Sequence, residues 1–314
     1  MYMPFCGASA QRGPYAATLI TGLSAALLLS GCDILVQGFP EGPYIEPGPA
    51  VSRPNASVAL AGGASSGAGT GLALASVSAA VPNHERMGVQ LDGMVGISGG
   101  DETWGVGGHL FVRDPLVGLL GVTSRYTEVD GDGLGRFGAE VERYVGQFSL
   151  IGDAGYQYGE VKNGAYGTFQ VRFYPNDNFY VGAGGDFGAG GNRFARFSTE
   201  LQPDLSRFGE APSFLDGLTA FIDGAVGTKQ TYKILSGLRV YIGDDKTLVR
   251  RHREDDPVPR LEDDVDTINS QDDELDCPPV ETEYDHEDYD YMMAMVPAGC
   301  PEPELDPKTL PYDS

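Results

Sequence analysis

Positive charge is scarce in this chain. Of its 314 residues, 21 are Lys or Arg and 45 are Asp or Glu, which gives a formal net charge of −24 at pH 7. A negative field of this size opposes binding to nucleic-acid phosphates and adsorption to bare anionic lipid. Most of the acidic excess lies after residue 243. The sequence therefore predicts no nucleic-acid partner and an acidic, largely disordered tail over residues 244–314.

A hydrophobic run long enough for a membrane-spanning helix is also missing. The longest apolar stretch runs from Ala16 to Leu29, which is shorter than the roughly 20 residues that a bilayer requires. It follows a single basic residue, Arg12, and ends in small residues, which is the layout of a secretory signal peptide. The sequence therefore predicts export, with residues 1–31 as the signal segment.

The residues that end this signal, Leu29-Ser30-Gly31-Cys32, resemble the lipobox of bacterial lipoproteins. The resemblance implies that the Cys32 thiol receives a diacylglycerol and that the signal is removed before it. It also implies that the new amino group is acylated with a fatty acid such as palmitate. Two or three acyl chains, at about 0.8 kcal/mol per buried methylene, hold a protein firmly on a membrane. An ordinary signal peptide followed by a chance cysteine is the alternative interpretation.

Cysteine is scarce too, with 4 in the chain. Cys6 leaves with the signal and Cys32 is the lipidation site, so Cys277 and Cys300 remain, both in the acidic tail. A matched pair in an oxidising compartment predicts a disulfide, which would contribute about 3 kcal/mol by closing its loop. Two free thiols in a disordered tail are the alternative.

Residues 32–86 are dominated by Pro, Gly, Ala and Ser. Pro and Gly are concentrated between Gly38 and Pro49, and a tract of Ala, Gly and Ser follows from Ala59 to Gly71. Such a composition buries too little apolar surface to offset the entropy of ordering. It predicts a flexible linker between the lipid anchor and the rest of the chain.

From Met87 to Gly243 the sequence alternates between apolar and polar residues with a period of two. This pattern predicts ten β-strands of about 9–11 residues, the length that a tilted strand needs to cross a bilayer. Eight strands remain if the two weaker segments, 116–126 and 193–201, do not pair. Connections that alternate between short and long are typical of an all-β, antiparallel up-and-down transmembrane barrel, which we predict for residues 87–243.

Placing the apolar face outward assigns charges of both signs to the barrel interior. The predicted interior network consists of Asp92, His109, Glu140, Glu142, Arg172, Arg196, Asp223 and Arg239, joined by Arg125, Asp153, Asp186, Glu200 and Lys233. We expect these charges to pair with one another, because an unpaired buried charge is costly. In a soluble barrel or sandwich the apolar face would turn inward instead, and alternation alone does not separate the two architectures.

Aromatic residues near the strand ends resemble the girdles of membrane barrels. They are Trp104, Tyr126, Tyr144, Tyr156, Tyr158, Phe173, Tyr174, Phe179 and Tyr180. Residues 87–243 as a whole resemble the small outer-membrane β-barrel, or porin-like, proteins of Gram-negative bacteria. The last predicted strand resembles their assembly signal at Gly237, Val240 and Ile242, although its final position is not aromatic and a long tail follows it. The resemblance implies an outer-membrane location and insertion by the barrel assembly machinery, and it implies no particular activity.

A barrel of eight or ten strands has an interior filled by side chains, so we expect no wide pore. Local motifs add no chemistry. Gly63–Gly67 matches a nucleophile elbow but lies in the linker, and Asp130–Gly133 lacks the later ligands of a calcium loop. His109 has no Ser and acid partner set, and the carboxylates around His286 lack metal-ligand spacing. We expect no enzymatic activity, no cofactor and no metal site.

Two functional hypotheses follow. In the first, the protein is an outer-membrane barrel lipoprotein that acts as a structural or interaction platform, with its linker and tail in the periplasm. An even strand number supports it, because both barrel ends then face the same side, where the tail could meet a periplasmic protein. In the second, a lipid-anchored periplasmic soluble β-protein binds a ligand or partner. Asp33 favours the second, since Asp after a lipidated Cys retains lipoproteins at the inner membrane in enteric bacteria.

Overall fold

The computed structural model describes residues 42–66, 68–205, 216–228, 231–243 and 245–272. Within them, twelve antiparallel strands close into one barrel, in which each strand pairs with its neighbours in sequence and the first pairs with the last. The strands are β1 (Asn55–Ser65), β2 (Ala68–Val81), β3 (His84–Ser98), β4 (Asp101–Asp114), β5 (Gly118–Val129), β6 (Asp132–Val145), β7 (Phe148–Gly159), β8 (Gly164–Asn176), β9 (Phe179–Phe187), β10 (Arg193–Leu201), β11 (Leu218–Gly227) and β12 (Tyr232–Ile242).

The strand number corrects the sequence prediction of ten or eight. All ten predicted strands pair, including the two weak ones, and two more precede them. The prediction of a linker over residues 32–86 is wrong from Asn55 onward, because β1, β2 and the start of β3 lie there. The small residues of β1 do not prevent strand formation, since both neighbouring strands supply backbone partners from Ala56 to Ser65. Closure of the sheet, and not local propensity, orders this segment.

The barrel has two mouths. The terminal mouth contains the start of β1 and the end of β12, and the far mouth contains the opposite strand ends. The prediction of long loops at the far mouth is wrong in two places, because the connections at 99–100 and 130–131 are two-residue turns. Positive φ angles at Gly99, Gly100, Asp130 and Gly131 permit these tight reversals. The end of β10 and the start of β11 lie at the terminal mouth, and residues 206–215 between them lie outside the described residues.

The outer face of the barrel is apolar. Side chains with large exposed fractions alternate with buried ones along each strand, which is the pattern of a sheet whose apolar side faces outward. This outer belt includes Leu60, Leu91, Val95, Val106, Leu120, Val122, Phe137, Phe169, Val171, Val181, Phe197, Ile222, Ile234 and Leu238. The lumen-facing positions carry the charges. The phase predicted from the alternation therefore matches the structure.

The chain does not end at β12 but turns into the lumen. Residues 245–272, here called the plug, form helix α1 (Leu248–Glu254), an extended connection and helix α2 (Leu261–Asp272). Most described plug side chains are buried, including the charged Arg251, Arg253 and Asp264. The prediction of a largely disordered, solvated segment from residue 244 is therefore wrong over both helices.

Local sequence explains where the plug helices begin and end. The last turn of α1 carries three basic residues, which complement the partial negative charge of a helix C-terminus. The first turn of α2 carries three acidic residues, which complement the partial positive charge of a helix N-terminus. Pro257 and Pro259 in the connection lack backbone donors and keep the chain extended. The apolar side of α2, at Leu261, Val265 and Ile268, packs against wall residues such as Leu72 and Leu134. Neither described helix has the length and apolarity that a membrane-spanning helix needs.

Candidate functional site

The acidic helix α2 binds a basic patch of the barrel wall near the far mouth. Asp264, which has no exposed surface, accepts hydrogen bonds from Arg125 Nε at 2.8 Å and from Arg136 Nη1 at 2.5 Å. Arg136 also donates to Thr267 Oγ1 at 3.1 Å. The two guanidinium groups stand on neighbouring strands, β5 and β6, so one plug carboxylate links both to the helix.

The other side of α2 is held in the same way by β10 and β12. Asp266 lies 2.7 Å from Arg196 Nη1 and 2.7 Å from Lys233 Nζ, and Asp263 lies 2.7 Å from Arg196. Lys233 also donates to the backbone carbonyl of Glu262 at 2.9 Å. Since a buried ion pair persists only when both charges are well hydrogen-bonded, this double anchoring explains how the lumen tolerates so many charges.

The basic helix α1 is bound differently at the terminal mouth. The imidazole of His252 contacts the hydroxyls of Tyr174 at 3.0 Å and Tyr241 at 3.1 Å, and its Nε2 lies 3.5 Å from Glu200. Burial lowers the pKa of His252 to about 4, so the ring is neutral at neutral pH. Its ring also meets that of Tyr180 edge-on. The wall here is built from tyrosines and one carboxylate.

Arg253 of α1 binds backbone instead of acid. Its guanidinium donates to the carbonyls of Gly146 and Phe148, both at 3.0 Å, and to Ser149 Oγ at 3.2 Å. The same group lies over the rings of Tyr144 and Tyr174. Tyr144, Tyr174 and Tyr180 were expected in an outer aromatic girdle; they are instead buried in the lumen and hold the plug.

At the terminal mouth the plug contacts the segment before β1. Lys246 pairs with Asp255 at 2.7 Å and with Glu254 at 3.1 Å, and it also hydrogen-bonds Ser52. Ser52 in turn donates to Asp255 at 2.7 Å, and Glu254 accepts from the backbone N–H of Glu46 at 3.3 Å. The start of the barrel chain and the start of the plug are therefore joined.

The connection between the helices is held at mid-height. Asp256 accepts a hydrogen bond from Ser78 Oγ at 2.9 Å, the Pro257 carbonyl accepts one from Gln90 at 3.1 Å, and Arg260 lies 3.4 Å from Asp153. The connection is therefore bonded to the wall on both sides of the lumen.

Little space remains between the plug and the wall. A cavity of about 70 Å³ lies between the connection and strands β8 to β12, lined by charged residues that include Arg172, Asp223, Arg239, His252 and Glu262. Its volume and polar lining suit a few water molecules and no larger solute. In the described chain, the lumen is thus occupied by its own C-terminal extension.

The predicted interior residues fall into two groups. On the wall itself, His109 stands between Asp92 at 2.9 Å and Glu140 at 2.7 Å, and Tyr144 donates to Glu142 at 2.6 Å. These residues pair with wall residues, as the sequence analysis expected. Both ring nitrogens of His109 face carboxylates, so the imidazole is fully engaged.

The second group faces the plug. Arg172 lies 3.4 Å from His252, Arg196 pairs with Asp186 and with α2, and Arg239 pairs with Glu200 at 3.1 Å beside His252. Asp223 lines the cavity. Arg196 and Arg239 therefore pair with other interior residues of the wall, and members of this group also contact the plug, which the sequence analysis did not place in the lumen. Cys32, Cys277 and Cys300 lie outside the described residues, so their lipidation and pairing stay predictions.

Sequence reasoning missed two lumen arginines. Arg136 was assigned to a loop, because β6 was expected to begin at residue 137, whereas it begins at Asp132. Arg113 was assigned to a tight turn after the strand and left out of the predicted interior network; it is buried and donates to the carbonyl of Ala50. If the polar alternation of β6 is followed toward the N-terminus as far as Asp132, it places Arg136 on the lumen face. Among the described residues, no cluster of three His, Cys, Asp or Glu suits a metal ion.

Comparison with known proteins adds no family. No family model and no curated protein matches the sequence. Solved structures with a similar course of the chain include the KdgM porin in complex with oligogalacturonate, at 9% identity and TM-score 0.45, covering 60% of this chain and 99% of that one. Others are Omp33 from Acinetobacter baumannii, at 12% identity and TM-score 0.37 (60% and 98% covered), and outer membrane phospholipase A from Escherichia coli, at 10% and 0.39 (70% and 96%). At these identities and TM-scores, the structural similarity carries no information beyond the closed barrel, which the strand register already shows.

Proposed function

We propose that this protein is an outer-membrane β-barrel lipoprotein whose lumen is closed by its own C-terminal segment. It acts as a structural or interaction platform and not as an open pore. One observation carries the proposal: the plug is bonded to the wall at both mouths and at mid-height, and the remaining cavity is about 70 Å³.

The outer belt supports a membrane location. Its leucines, valines and phenylalanines expose apolar area that gains about 25 cal/mol per Å² when it leaves water, and the ring of such residues continues around the barrel. A soluble barrel would turn this face inward, whereas here the lumen contains the charges. The second hypothesis, a soluble periplasmic binding protein, therefore fits the surface less well.

The lipid anchor fits the same picture. The first described residues, 42–54, lie before β1 and contact the plug at the terminal mouth. A lipid on Cys32 would then lie on the terminal-mouth side, the side on which the start of β1 and the end of β12 both lie. The lipid anchor and the barrel would then both attach the protein to the same membrane.

The side chains of the described residues support a role without catalysis. His109, the one histidine of the barrel lumen wall in the described chain, has both ring nitrogens against carboxylates, and neither neighbour is a nucleophile. His252 is enclosed by tyrosines, Glu200 and Arg172. A general base needs a free nitrogen within reach of a substrate, and neither ring offers one.

Conductance in planar bilayers tests the closed lumen. We expect the purified full chain to insert without steady ion conductance, because the plug fills the barrel. The double variant Asp264→Asn with Asp266→Asn removes the carboxylates that bind Arg125, Arg136, Arg196 and Lys233, and we expect it to open intermittently. The matched control is Asp132→Asn, an exposed far-mouth aspartate. Steady conductance of the unmodified chain would contradict the closed lumen.

Membrane insertion is tested separately with Cys32→Ala, which removes the lipidation site. Because the outer belt itself buries in lipid, we expect this variant to stay in the outer-membrane fraction after alkaline extraction and to migrate on a gel in a heat-modifiable way. Release into the soluble fraction would favour the soluble alternative.

A further inference from the structure

The plug runs through the barrel in one direction. At the terminal mouth, the backbone N–H groups of Leu248 and Val249 donate to Asn178 and Asp177 in the turn between β8 and β9. At the far mouth, Asn269 Nδ2 donates to the Oγ of Ser98 at 3.1 Å. Ser98 is the last residue of β3, on the rim opposite the terminal mouth. The described chain thus enters at one rim and reaches the other.

Intermediate contacts follow in order along the lumen. Asp256 bonds to Ser78, three residues from the terminal end of β2, and Pro257 bonds to Gln90, the residue of β3 that pairs with Ser78. Asp264 binds Arg125 in the far half of β5, and Asp266 binds Lys233, the second residue of β12 at the far mouth. The contacts of the connection therefore begin in the terminal half of the wall, and those of α2 lie in its far half.

A return path through the lumen is closed. The cavity beside the plug, about 70 Å³, has room for a few water molecules and none for a second polypeptide segment. α2 also covers the basic patch of β5, β6, β10 and β12 through side chains that are largely buried. A chain that continues beyond residue 272 therefore continues on the far side.

We propose that the barrel threads its own C-terminus across the membrane. The tail from Asp273 to Ser314 emerges at the far mouth, on the side opposite to Asn55 and the lipidation site Cys32. This rests on the proposed function, because two sides exist only if the barrel spans a membrane. The tail is rich in Asp and Glu, and Lys308 is its only Lys or Arg.

Single-cysteine labelling of intact cells tests the threading. Cys277 and Cys300 are replaced by Ser, and one reporter is introduced at a time. Lys162→Cys reports the far mouth, Leu116→Cys reports the terminal mouth, and Ser314→Cys reports the tail; Lys162 and Leu116 are both exposed. The reagent is a maleimide on a polyethylene glycol chain too large for porins, applied before and after the outer membrane is permeabilised.

We expect Ser314→Cys to react in intact cells as Lys162→Cys does, and Leu116→Cys to react only after permeabilisation. If Ser314→Cys instead behaves like Leu116→Cys, the threading is wrong while the membrane barrel stands. Equal labelling of all three reporters in intact cells would contradict both the membrane span and the threading. The comparison of the tail with each rim holds whichever rim faces outward.

A disulfide between plug and rim gives an independent readout. Because the side chains of Asn269 and Ser98 are in hydrogen-bond contact, the pair Asn269→Cys with Ser98→Cys should oxidise to an intramolecular cross-link that changes gel mobility. The control pair joins Asn269→Cys to a cysteine at Ala165, which faces outward on β8. Cross-linking of the control pair, or of neither pair, would contradict a plug seated at the far mouth.

Discussion

The two plug helices occupy the same lumen but are held by different chemistry. α2 places carboxylates against wall arginines and a lysine, so its position depends on paired charge. α1 places a neutral histidine among tyrosine hydroxyls and an arginine against backbone carbonyls. α2 is thus held to the wall mainly by ion pairs, and α1 mainly by hydrogen bonds to wall hydroxyls and carbonyls and by aromatic contacts. The two helices should therefore respond differently to substitution.

The largest effect is expected at α2. Asp264→Ala leaves Arg136 without its carboxylate and Arg125 with Asp153 alone, and breaking a buried pair costs about 3–5 kcal/mol. We expect a lower midpoint for urea unfolding of the purified protein and a plug that becomes sensitive to protease. Asp132→Asn, at the exposed far-mouth turn, should leave both measurements unchanged. If the Asp264→Ala protein is as stable as the native chain, the ion pairs of α2 do not stabilise the plug.

A smaller effect is expected at α1. His252→Phe keeps the ring and removes the hydrogen bonds to Tyr174 and Tyr241. Losing hydrogen bonds between neutral groups costs about 1–2 kcal/mol, which is less than the loss at Asp264. A urea midpoint shifted as far as that of Asp264→Ala would erase the distinction between the two helices.

The smallest effect is expected where charges meet solvent. Arg250 pairs with Glu254 and with Glu46, but Glu46 is 56% exposed and the Arg250 side chain is itself partly accessible. Exposed pairs contribute about 0.5 kcal/mol, so Arg250→Ala should change the urea midpoint only slightly. A loss comparable to that of His252→Phe would mean that the N-terminal segment holds the plug more firmly than its exposure indicates.

Much of the wall could be predicted from the sequence, because a period of two assigns every residue of a strand to one face. Asp92, His109 and Arg172 face the lumen as that period requires. β1 and β2 could not be recognised in the same way, since their alanines, glycines and serines give weak alternation. Their order comes from partner strands that lie far away in sequence.

The plug could not be predicted, for a different reason. An isolated run of acids such as Glu262 to Asp264 is normally solvated, and only the basic patch of a closed barrel makes its burial favourable. That patch is assembled from β5, β6, β10 and β12, which come together only after closure. The apolar spacing at Leu261, Val265 and Ile268 was the single local signal of a helix with a buried side.

The pairing of β1 with β12 has a consequence for the order of assembly. Once these two strands close the cylinder, a chain that follows β12 can no longer slip sideways into the interior. The segment after Ile242 can then enter only end-on, through the terminal mouth. Sideways entry is possible only while β1 and β12 are apart, so the pairing of the weakly patterned β1 decides when that route closes.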